Sequence, residues 1–307
     1  MRAVFFGSPE FAVPCLDALN EIADVVAVVS QPDRPKGRGM KLQAPAVKQR
    51  ALELGLPVMQ PQKVRTPDFA ASIAALNADV ALVVAYGRIL PRAVLDATRR
   101  GCINVHASLL PRWRGAAPIQ WAIASGDKMT GVCLMKLDEG MDTGPVLATM
   151  QTEIDPDETG SELSVRLSAL GAELVRNAVP RFVRDELVAV PQPEAGATHA
   201  RMLEKSDSVI NWQRSAQQIH DQIRAMQPWP GAIATVDGAP IKIHRSRMFG
   251  GNSSAPGVVL GMRDDAIEIG CGQGTIGVLS LQQSGRRAMS ADAFMAGNIV
   301  RAGSRFE

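Results

Sequence analysis

The sequence lacks the features of a membrane-spanning or secreted protein. Its longest uninterrupted apolar run, Val80 to Tyr86, is far shorter than the roughly 18 residues that a membrane span requires. The chain begins without the long apolar region and cleavage site of a signal peptide. It has only four cysteines among 307 residues, and no two of them form a Cys-x-x-Cys pair. These absences predict a soluble protein of a reducing cytoplasm, with no membrane partner.

The motifs of several common chemistries are also missing. The first turn, Gly7 to Phe11, is not Gly-x-Gly-x-x-Gly, and Pro9 interrupts the backbone nest that would hold a pyrophosphate, so NAD binding is not expected. No P-loop, HExxH zinc motif or GxSxG nucleophile motif occurs. The four histidines are scattered without metal-ligand spacing. We therefore expect no metal. The net charge of +2 neither demands nor excludes a nucleic-acid partner.

What the first half of the chain does contain is an alternation of short β-branched runs with helical stretches. The predicted strands are Ala3 to Phe6, Val25 to Ser30, Val80 to Ala85, Cys102 to His106 and Val132 to Leu137. The predicted helices are Pro14 to Asn20, Ala44 to Leu54, Pro91 to Ala97 and Pro118 to Ser125. This rhythm is typical of an α/β fold with a doubly wound, mostly parallel sheet. Ligands of such sheets bind beyond the carboxyl ends of the strands, which is where candidate site residues should lie.

The second part of the chain has a different pattern. A predicted helix from Gly160 to Asp185 closes the first domain, and the Pro- and Gly-rich stretch after it is typical of a linker. Beyond a helical stretch at Ser215 to Met226, short predicted strands alternate with Gly, Asn and Asp turns, which indicates a small β-barrel, OB-like in type, or a sandwich. We expect a first domain at 1–190, a linker at 191–205 and a second domain at 206–307.

Three polar residues at the predicted sheet edge are candidates for catalysis. If Cys102 to His106 is a strand, Asn104 and His106 point to the same face, because side chains alternate along a strand. A carboxylate from the next such loop could reach them, and Asp142 is our choice, since Asp138 could instead stabilise the turn. A lone histidine would more often be structural. Asn, His and Asp together at this edge favour a catalytic site.

A basic loop follows the second predicted strand. Arg34, Lys36, Arg38 and Lys41 lie on a Gly- and Pro-rich backbone and could contact polyanionic RNA, although a solvated surface loop is an equally good interpretation. In the second region, Trp212 and Trp229 are predicted to pack between the linker and the barrel, not to stack on bases.

Taken together, these motifs resemble the methionyl-tRNA formyltransferases, within the folate-dependent formyltransferases, and the resemblance covers nearly the whole chain. Six segments carry it: Gly7-Ser-Pro-Glu-Phe-Ala12, Gln31 to Gly39, Val84 to Pro91, Asn104-Val-His-Ala-Ser-Leu-Leu-Pro to Gln120, Asp142-Thr-Gly144 and Ile223 to Gly231. The Asn-x-His-x-Ser-Leu-Leu-Pro pattern with Asp-Thr-Gly is specific to folate-dependent formyltransferases in general. The basic loop and the Trp-Pro-Gly segment narrow it to the members that act on tRNA.

The resemblance implies a cytoplasmic, monomeric enzyme of translation initiation with a Rossmann-like catalytic domain. It would transfer a formyl group from 10-formyltetrahydrofolate to the methionine amino group of initiator tRNA. Asn104 and His106 would donate to the oxyanion that forms, while Asp142 would orient His106 or accept the amine proton. The folate pocket would be lined by Tyr86, Gly87, Ile89, Ser108, Leu109, Leu110 and Pro111, and tRNA would contact Arg34, Lys36, Arg38 and Lys41.

Two departures from the family pattern are visible. Trp121 stands where an arginine is frequent, and Lys242 is the single lysine of the second domain, where relatives often have more. Two other functions stay open at this point: formylation of a small amine, such as a purine precursor or an amino sugar, and a catalytically silent RNA- or folate-binding module. The appended second domain argues against the first, and the intact Asn, His and Asp set argues against the second.

Overall fold

The computed structural model describes residues 1–36, 41–251, 255–297 and 300–307. They form two compact units. The first unit comprises Met1–Pro118, Met129–Glu153 and Ser164–Ala200, and the second comprises Ile119–Lys128, Ile154–Leu163 and Arg201–Glu307. Within the described ranges, no helix is long and apolar enough to cross a membrane.

The described residues between 1 and 200 contain eleven strands. They are β1 (Arg2–Gly7), β2 (Asp24–Val29), β3 (Arg34–Lys36), β4 (Lys41–Gln43), β5 (Val58–Met59), β6 (Val80–Val84), β7 (Cys102–His106), β8 (Arg114–Gly115), β9 (Met129–Lys136), β10 (Val146–Glu153) and β11 (His199–Ala200). The helices are α1 (Val13–Ile22), α2 (Ala46–Glu53), α3 (Pro67–Ala74), α4 (Arg92–Leu95), α5 (Pro118–Ala124) and α6 (Gly160–Val183).

A seven-stranded sheet organises the first unit, in the order β10-β9-β7-β6-β1-β2-β5. The strands from β7 to β5 in this order are parallel to their neighbours, so the predicted mostly parallel α/β sheet is confirmed. Strand β9 is antiparallel to β7, and β10 is antiparallel to β9. The inclusion of Val132 to Leu137 among the parallel strands was therefore wrong, and β10 was missed. An apolar pattern that repeats every two residues looks identical in both chain directions. It therefore gives no information about whether a strand is parallel or antiparallel to its neighbour.

Burial explains why the central strands are mostly apolar. Every residue of β6 and β7 is buried, as expected for parallel strands covered on both faces. On one side, Phe6 packs edge-to-face against Tyr86, with ring centroids 5.4 Å apart, and against Phe69 of α3. Helix α3 was not predicted from the sequence. Its start is nonetheless marked by Thr66, whose side chain accepts a hydrogen bond from the Phe69 backbone N–H.

The second unit is mainly antiparallel β-structure, as predicted. Its elements in the last hundred residues include α7 (Ala216–Ala225), β12 (Ala232–Val236), β13 (Ala239–Met248), β14 (Val259–Arg263), β15 (Ala266–Gly270), β16 (Thr275–Gln283), β17 (Met289–Ser290) and α8 (Ala291–Ala296). The sheet runs β12-β13-β16-β15-β14, with β17 beside β16. Its core includes Ile219, Ile243, Val278 and Phe294, all fully buried. The finer description as an OB-like barrel stays a prediction.

Trp212 and Trp229, the two tryptophans of the last hundred residues, behave differently. Trp212 is 5% exposed and packs against Phe306 at 5.7 Å between ring centroids, which confirms its predicted packing role. The same prediction was wrong for Trp229, which is 51% exposed. Its neighbours Pro228 and Pro230 have no backbone N–H that could hydrogen-bond to an adjacent strand, and this part of the chain forms a turn. In a turn, an apolar ring is not forced into the core.

Candidate active site

Asn104 and His106 lie on β7 and are both buried, at 8% and 5% exposed. The structure gives this strand the predicted boundaries, and the alternation of side chains places both polar groups on one face. Buried polar groups need hydrogen-bond partners, because desolvation without one costs free energy. Asn104 and His106 share one such partner, the carboxylate of Asp142.

Asp142 brings the predicted set of three together. Its Oδ1 lies 3.5 Å from Asn104 Nδ2, and its Oδ2 lies 3.5 Å from His106 Nδ1. The backbone N–H of Gly115 donates to the same Oδ2 at 2.9 Å. The Asp142 side chain is only 15% exposed, so these interactions are little screened by solvent.

The route by which Asp142 reaches this position differs from the expected one. Strand β9 runs antiparallel to β7 with Lys136 opposite Ile103, so its carboxyl end lies beside the amino end of β7. The loop from 137 to 145 must therefore fold back over the sheet to bring Asp142 to Asn104 and His106. Asp142 itself takes a left-handed conformation with φ of 55°, which is uncommon for a residue other than glycine.

Asp138, the other candidate carboxylate of this loop, stabilises the turn. Its Oδ1 accepts from the Gly140 backbone N–H at 3.0 Å and from Thr143 Oγ1 at 2.8 Å. This is the Asx-type role predicted for it. Of the two carboxylates, it is Asp142 that lies beside Asn104 and His106.

The second ring nitrogen of His106 is also engaged. Nε2 lies 2.8 Å from the backbone carbonyl oxygen of Trp113. A carbonyl oxygen can only accept, so Nε2 carries a proton in this arrangement. A protonated ring would then donate to Trp113 from Nε2 and to Asp142 from Nδ1. The site can thus hold an imidazole in one orientation between an acceptor and a carboxylate, with an amide donor two residues away on the same strand.

The residues expected to line a folate pocket follow the ends of β6 and β7, which are adjacent and parallel. Ile89 is 52% exposed, Gly87 is exposed, and Leu109, Leu110 and Pro111 are half-buried, so apolar surface is available at this edge.

Two residues of the expected folate set have their side chains elsewhere. Tyr86 is 1% exposed and its ring packs in the core on Phe6, so the ring is not exposed at this edge. Ser108 is fully buried and donates from Oγ to the Arg112 carbonyl at 2.6 Å, which is a turn-stabilising contact.

The basic loop is only partly described. Arg34 is exposed and begins β3, which pairs with β4 in a short antiparallel hairpin with Lys36 opposite Lys41. Arg38 lies outside the described residues, as do the side chains of Lys36 and Lys41. At the base of the hairpin, Asp33 pairs with Lys48 at 2.8 Å, and this hydrogen bond together with one from Gln60 lowers the pKa of Asp33.

The four cysteines are buried free thiols. Burial raises the pKa of Cys15, Cys102 and Cys271 to about 12, and it raises that of Cys133 as well. A thiol with such a pKa is almost entirely protonated at neutral pH and is a poor nucleophile. Cysteine chemistry at this site is not supported.

Sequence reasoning missed two residues that hold the site together. Arg114, which is 3% exposed, donates from Nε to Gln192 Oε1 at 3.0 Å. Gln192 in turn donates to the carbonyls of Asp142 and Gly144. Gln192 was placed in the predicted linker because the stretch from Pro191 to Gly196 has the Pro and Gly composition of a linker. A polar residue in a Pro-rich stretch gives no local signal of a contact 50 residues away.

The fold and this site define the class of the protein. The sequence matches the formyl transferase family over residues 1–179 and the C-terminal domain of formyl transferases over residues 202–298, and the chain belongs to this family.

Close relatives are similar over the full length. The chain is 54% identical to a methionyl-tRNA formyltransferase of Sorangium cellulosum, covering 99% of this chain and 98% of that protein. It is 50% identical to the methionyl-tRNA formyltransferase of Myxococcus xanthus, covering 99% of this chain and 97% of that protein. Among solved structures, an N-formyltransferase from Helicobacter canadensis superposes with a TM-score of 0.70 at 18% identity, covering 92% of this chain and 98% of that one. At that identity the likeness shows the fold alone.

Proposed function

We propose that the protein formylates the methionine amino group of initiator tRNA, with 10-formyltetrahydrofolate as the donor co-substrate, and so acts in translation initiation in the cytoplasm. The observation that carries the chemistry is that the Asp142 carboxylate lies 3.5 Å from the side-chain nitrogens of both Asn104 and His106, which share one buried strand. The full-length similarity to methionyl-tRNA formyltransferases supports the choice of acceptor.

The residues at the sheet edge fit a folate co-substrate. Half-buried Leu109, Leu110 and Pro111 and exposed Ile89 offer apolar contacts to aromatic rings, as small-molecule sites generally do. Gly87 has a φ of 78° and open space where a Cβ would be, so backbone at this edge can be approached closely. When bound, the co-substrate supplies the formyl group to be transferred.

The three polar residues have different roles in this reaction. Asn104 Nδ2 is a donor for the formyl oxygen as it gains negative charge, which is the stage at which a fixed donor is most effective. His106 donates the proton on Nε2 to the Trp113 carbonyl oxygen. For His106 to donate to the oxyanion as well, this proton must move from the Trp113 carbonyl to the substrate oxygen. Asp142 orients His106 through Nδ1 and can accept the proton released by the attacking amine, directly or through water.

We further propose that tRNA is bound by the basic loop, through Arg34, Lys36, Arg38 and Lys41, and by the second domain. The domain boundaries we propose are those predicted from the sequence: 1–190, a linker at 191–205, and 206–307. The acceptor is large and polyanionic, so its affinity should fall with increasing salt. We propose that the protein acts as a monomer that needs no metal.

One assay tests the acceptor and the donor together. The purified protein is incubated with 10-formyltetrahydrofolate and methionyl initiator tRNA, and the aminoacyl ester is released and analysed by mass spectrometry for a gain of one formyl group. Elongator methionyl-tRNA, free methionine and an amino-sugar nucleotide serve as alternative acceptors. Formylation of initiator tRNA in preference to the other three is expected. Preference for the amino sugar would assign the protein to small-amine formylation, and no product with any acceptor would refute an enzymatic role.

A further inference from the structure

The segment from 190 to 200 is anchored at both ends against the candidate active site. At one end, Val190 and Val146 exchange backbone hydrogen bonds of 2.8 Å in each direction. At the other, β11 pairs with β8, and Thr198 Oγ1 accepts from the Trp113 backbone N–H at 2.9 Å. A stretch predicted to be a linker is therefore held along the loop that carries Trp113 to Gly115.

Gln192 lies between these anchors and contacts the Asp142 loop directly. Its Nε2 lies 2.8 Å from the Asp142 carbonyl oxygen and 2.7 Å from the Gly144 carbonyl oxygen. A side-chain amide has two N–H donors, so both are used on these carbonyls. Its Oε1 accepts from Arg114 Nε at 3.0 Å, which fixes which end of the amide faces the loop.

These contacts close a ring around Asp142. Gln192 holds the backbone of Asp142, Arg114 holds Gln192, and the next residue, Gly115, donates its backbone N–H to Asp142 Oδ2. Because no strand end delivers Asp142 to Asn104 and His106, and because its φ of 55° is uncommon for a side-chain-bearing residue, something outside the loop must hold it there. Gln192 is a side chain from outside the loop that donates to the Asp142 backbone.

We propose that Gln192 is a positioning residue for Asp142, acting through the two backbone carbonyls and not by touching substrate. This inference rests on the proposed function of Asp142, but its geometric part can be tested without substrate. Two variants remove the donors while keeping the size of the side chain: Gln192→Met and Gln192→Glu. Gln151→Glu, at an exposed position of β10, is the matched control.

The geometric test is amide hydrogen exchange followed by NMR in the free protein. The amides of Arg114, Gly115 and Ala116 donate to Thr198, to the Asp142 carboxylate and to Ala200, respectively. In Gln192→Met we expect exchange at Gly115 to accelerate at least about tenfold while Arg114 and Ala116 keep their protection. Unchanged exchange at Gly115 would overturn the proposal. Equal acceleration at all three amides would also overturn it, since it would mean that the segment simply unfolds.

The kinetic test is a double-mutant cycle with Asp142→Asn. We expect kcat of Gln192→Met and Gln192→Glu to fall about 10- to 100-fold with KM for both substrates within about twofold of wild type, and Gln151→Glu to match wild type. If Gln192 acts through Asp142, adding Gln192→Met to Asp142→Asn should cost less than about threefold more. Fully multiplicative losses would refute the assignment. A wild-type protein that formylates no tRNA would refute the proposed function, while the exchange result would still decide the role of Gln192.

Discussion

His106 donates from Nε2 to the backbone carbonyl of Trp113 at 2.8 Å, and this bond orients the whole ring. It leaves Nδ1 facing Asp142 Oδ2 at 3.5 Å. The neutral ring would present a lone pair to the carboxylate, whereas a protonated ring would donate to both neighbours. The ring is therefore held in one orientation, with Nδ1 directed at the carboxylate of Asp142.

The three residues should behave as one catalytic unit. We expect Asn104→Ala and His106→Ala each to lower kcat on the order of 10²–10³-fold, because a fixed donor to the oxyanion is lost. Asp142→Asn keeps the shape and removes the charge. Because such units are non-additive, the double variant Asn104→Ala/His106→Ala should lose little more than the worse single variant. Steady-state kinetics and tRNA affinity are the measurements, and turnover within a few-fold of wild type in all three single variants would exclude this assignment.

Gly115 should not tolerate a side chain. Its φ of 121° is a conformation that other residues rarely adopt, and a Cβ would lie 2.6 Å from the Ala200 carbonyl oxygen. We expect Gly115→Ala to reduce the free energy of unfolding by at least about 3 kcal/mol and to lower kcat by displacing the donor to Asp142. Gly55→Ala is the control, since Gly55 has a φ of 70° in open space and should lose only about 1–2 kcal/mol. Urea titration compares the two, and equal losses would contradict the prediction.

Arg38 should contribute to tRNA binding and not to folate binding. It lies between two glycines, and its planar guanidinium can make a bidentate bond to phosphate that lysine cannot. We expect Arg38→Ala to raise KM for methionyl-tRNA and to reduce the slope of log K against log salt by up to about 1, with unchanged affinity for the folate. Arg38→Lys should recover part of the loss. An unchanged salt slope together with unchanged kcat/KM would leave this loop as a solvated surface turn.

The start of helix α6 should lose stability in acid. Thr159 and Glu162 form a capping pair, and Glu162 also pairs with Arg245. The hydrogen bonds from Arg245 and Thr159 lower the pKa of Glu162 from 4.5 to about 2. Because the folded pKa is the lower one, the stabilisation is present above pH 4.5 and is lost as the pH falls towards 2.

Glu162→Gln keeps the capping acceptor and removes the charge, so it isolates this effect. Both partners are nearly half exposed, and solvent screening limits the expected loss at pH 7 to about 1 kcal/mol or less. The difference in free energy of unfolding between wild type and variant should shrink between pH 5 and pH 3 in urea titrations. Glu173→Gln, at an exposed position of the same helix, should show no such trend. A gap that stays constant over this range would exclude the ion pair as its origin.

The cysteines should be unreactive in the folded protein. Their burial and raised pKa values leave little thiolate at pH 8. We expect maleimide labelling to modify none of the four within minutes in buffer and all four in urea, with activity retained after treatment of the folded protein. Rapid labelling of one thiol with loss of activity would show that it is accessible near the site.

The sequence by itself determined several of the local elements and predicted the candidate site residues. The β-branched runs predicted β1, β2, β6 and β7 to within a residue or two at each end, because buried parallel strands are mostly apolar. The alternation along β7 placed Asn104 and His106 on one face. The pattern around Asp138 and Asp142 indicated which carboxylate makes the turn and which lies at the site.

Tertiary structure decided how those residues meet. The direction of β9 could not be predicted, because an alternating or continuous apolar run is identical in both directions. Asp142 was expected at the site for the wrong reason: it arrives by a loop that folds back, with left-handed geometry, and not from a parallel strand end. The groups that hold it, Gly115 and Gln192, are 27 and 50 residues away in the chain. Such contacts depend on where the folded backbone brings distant donors and acceptors, and no local periodicity or propensity encodes that position.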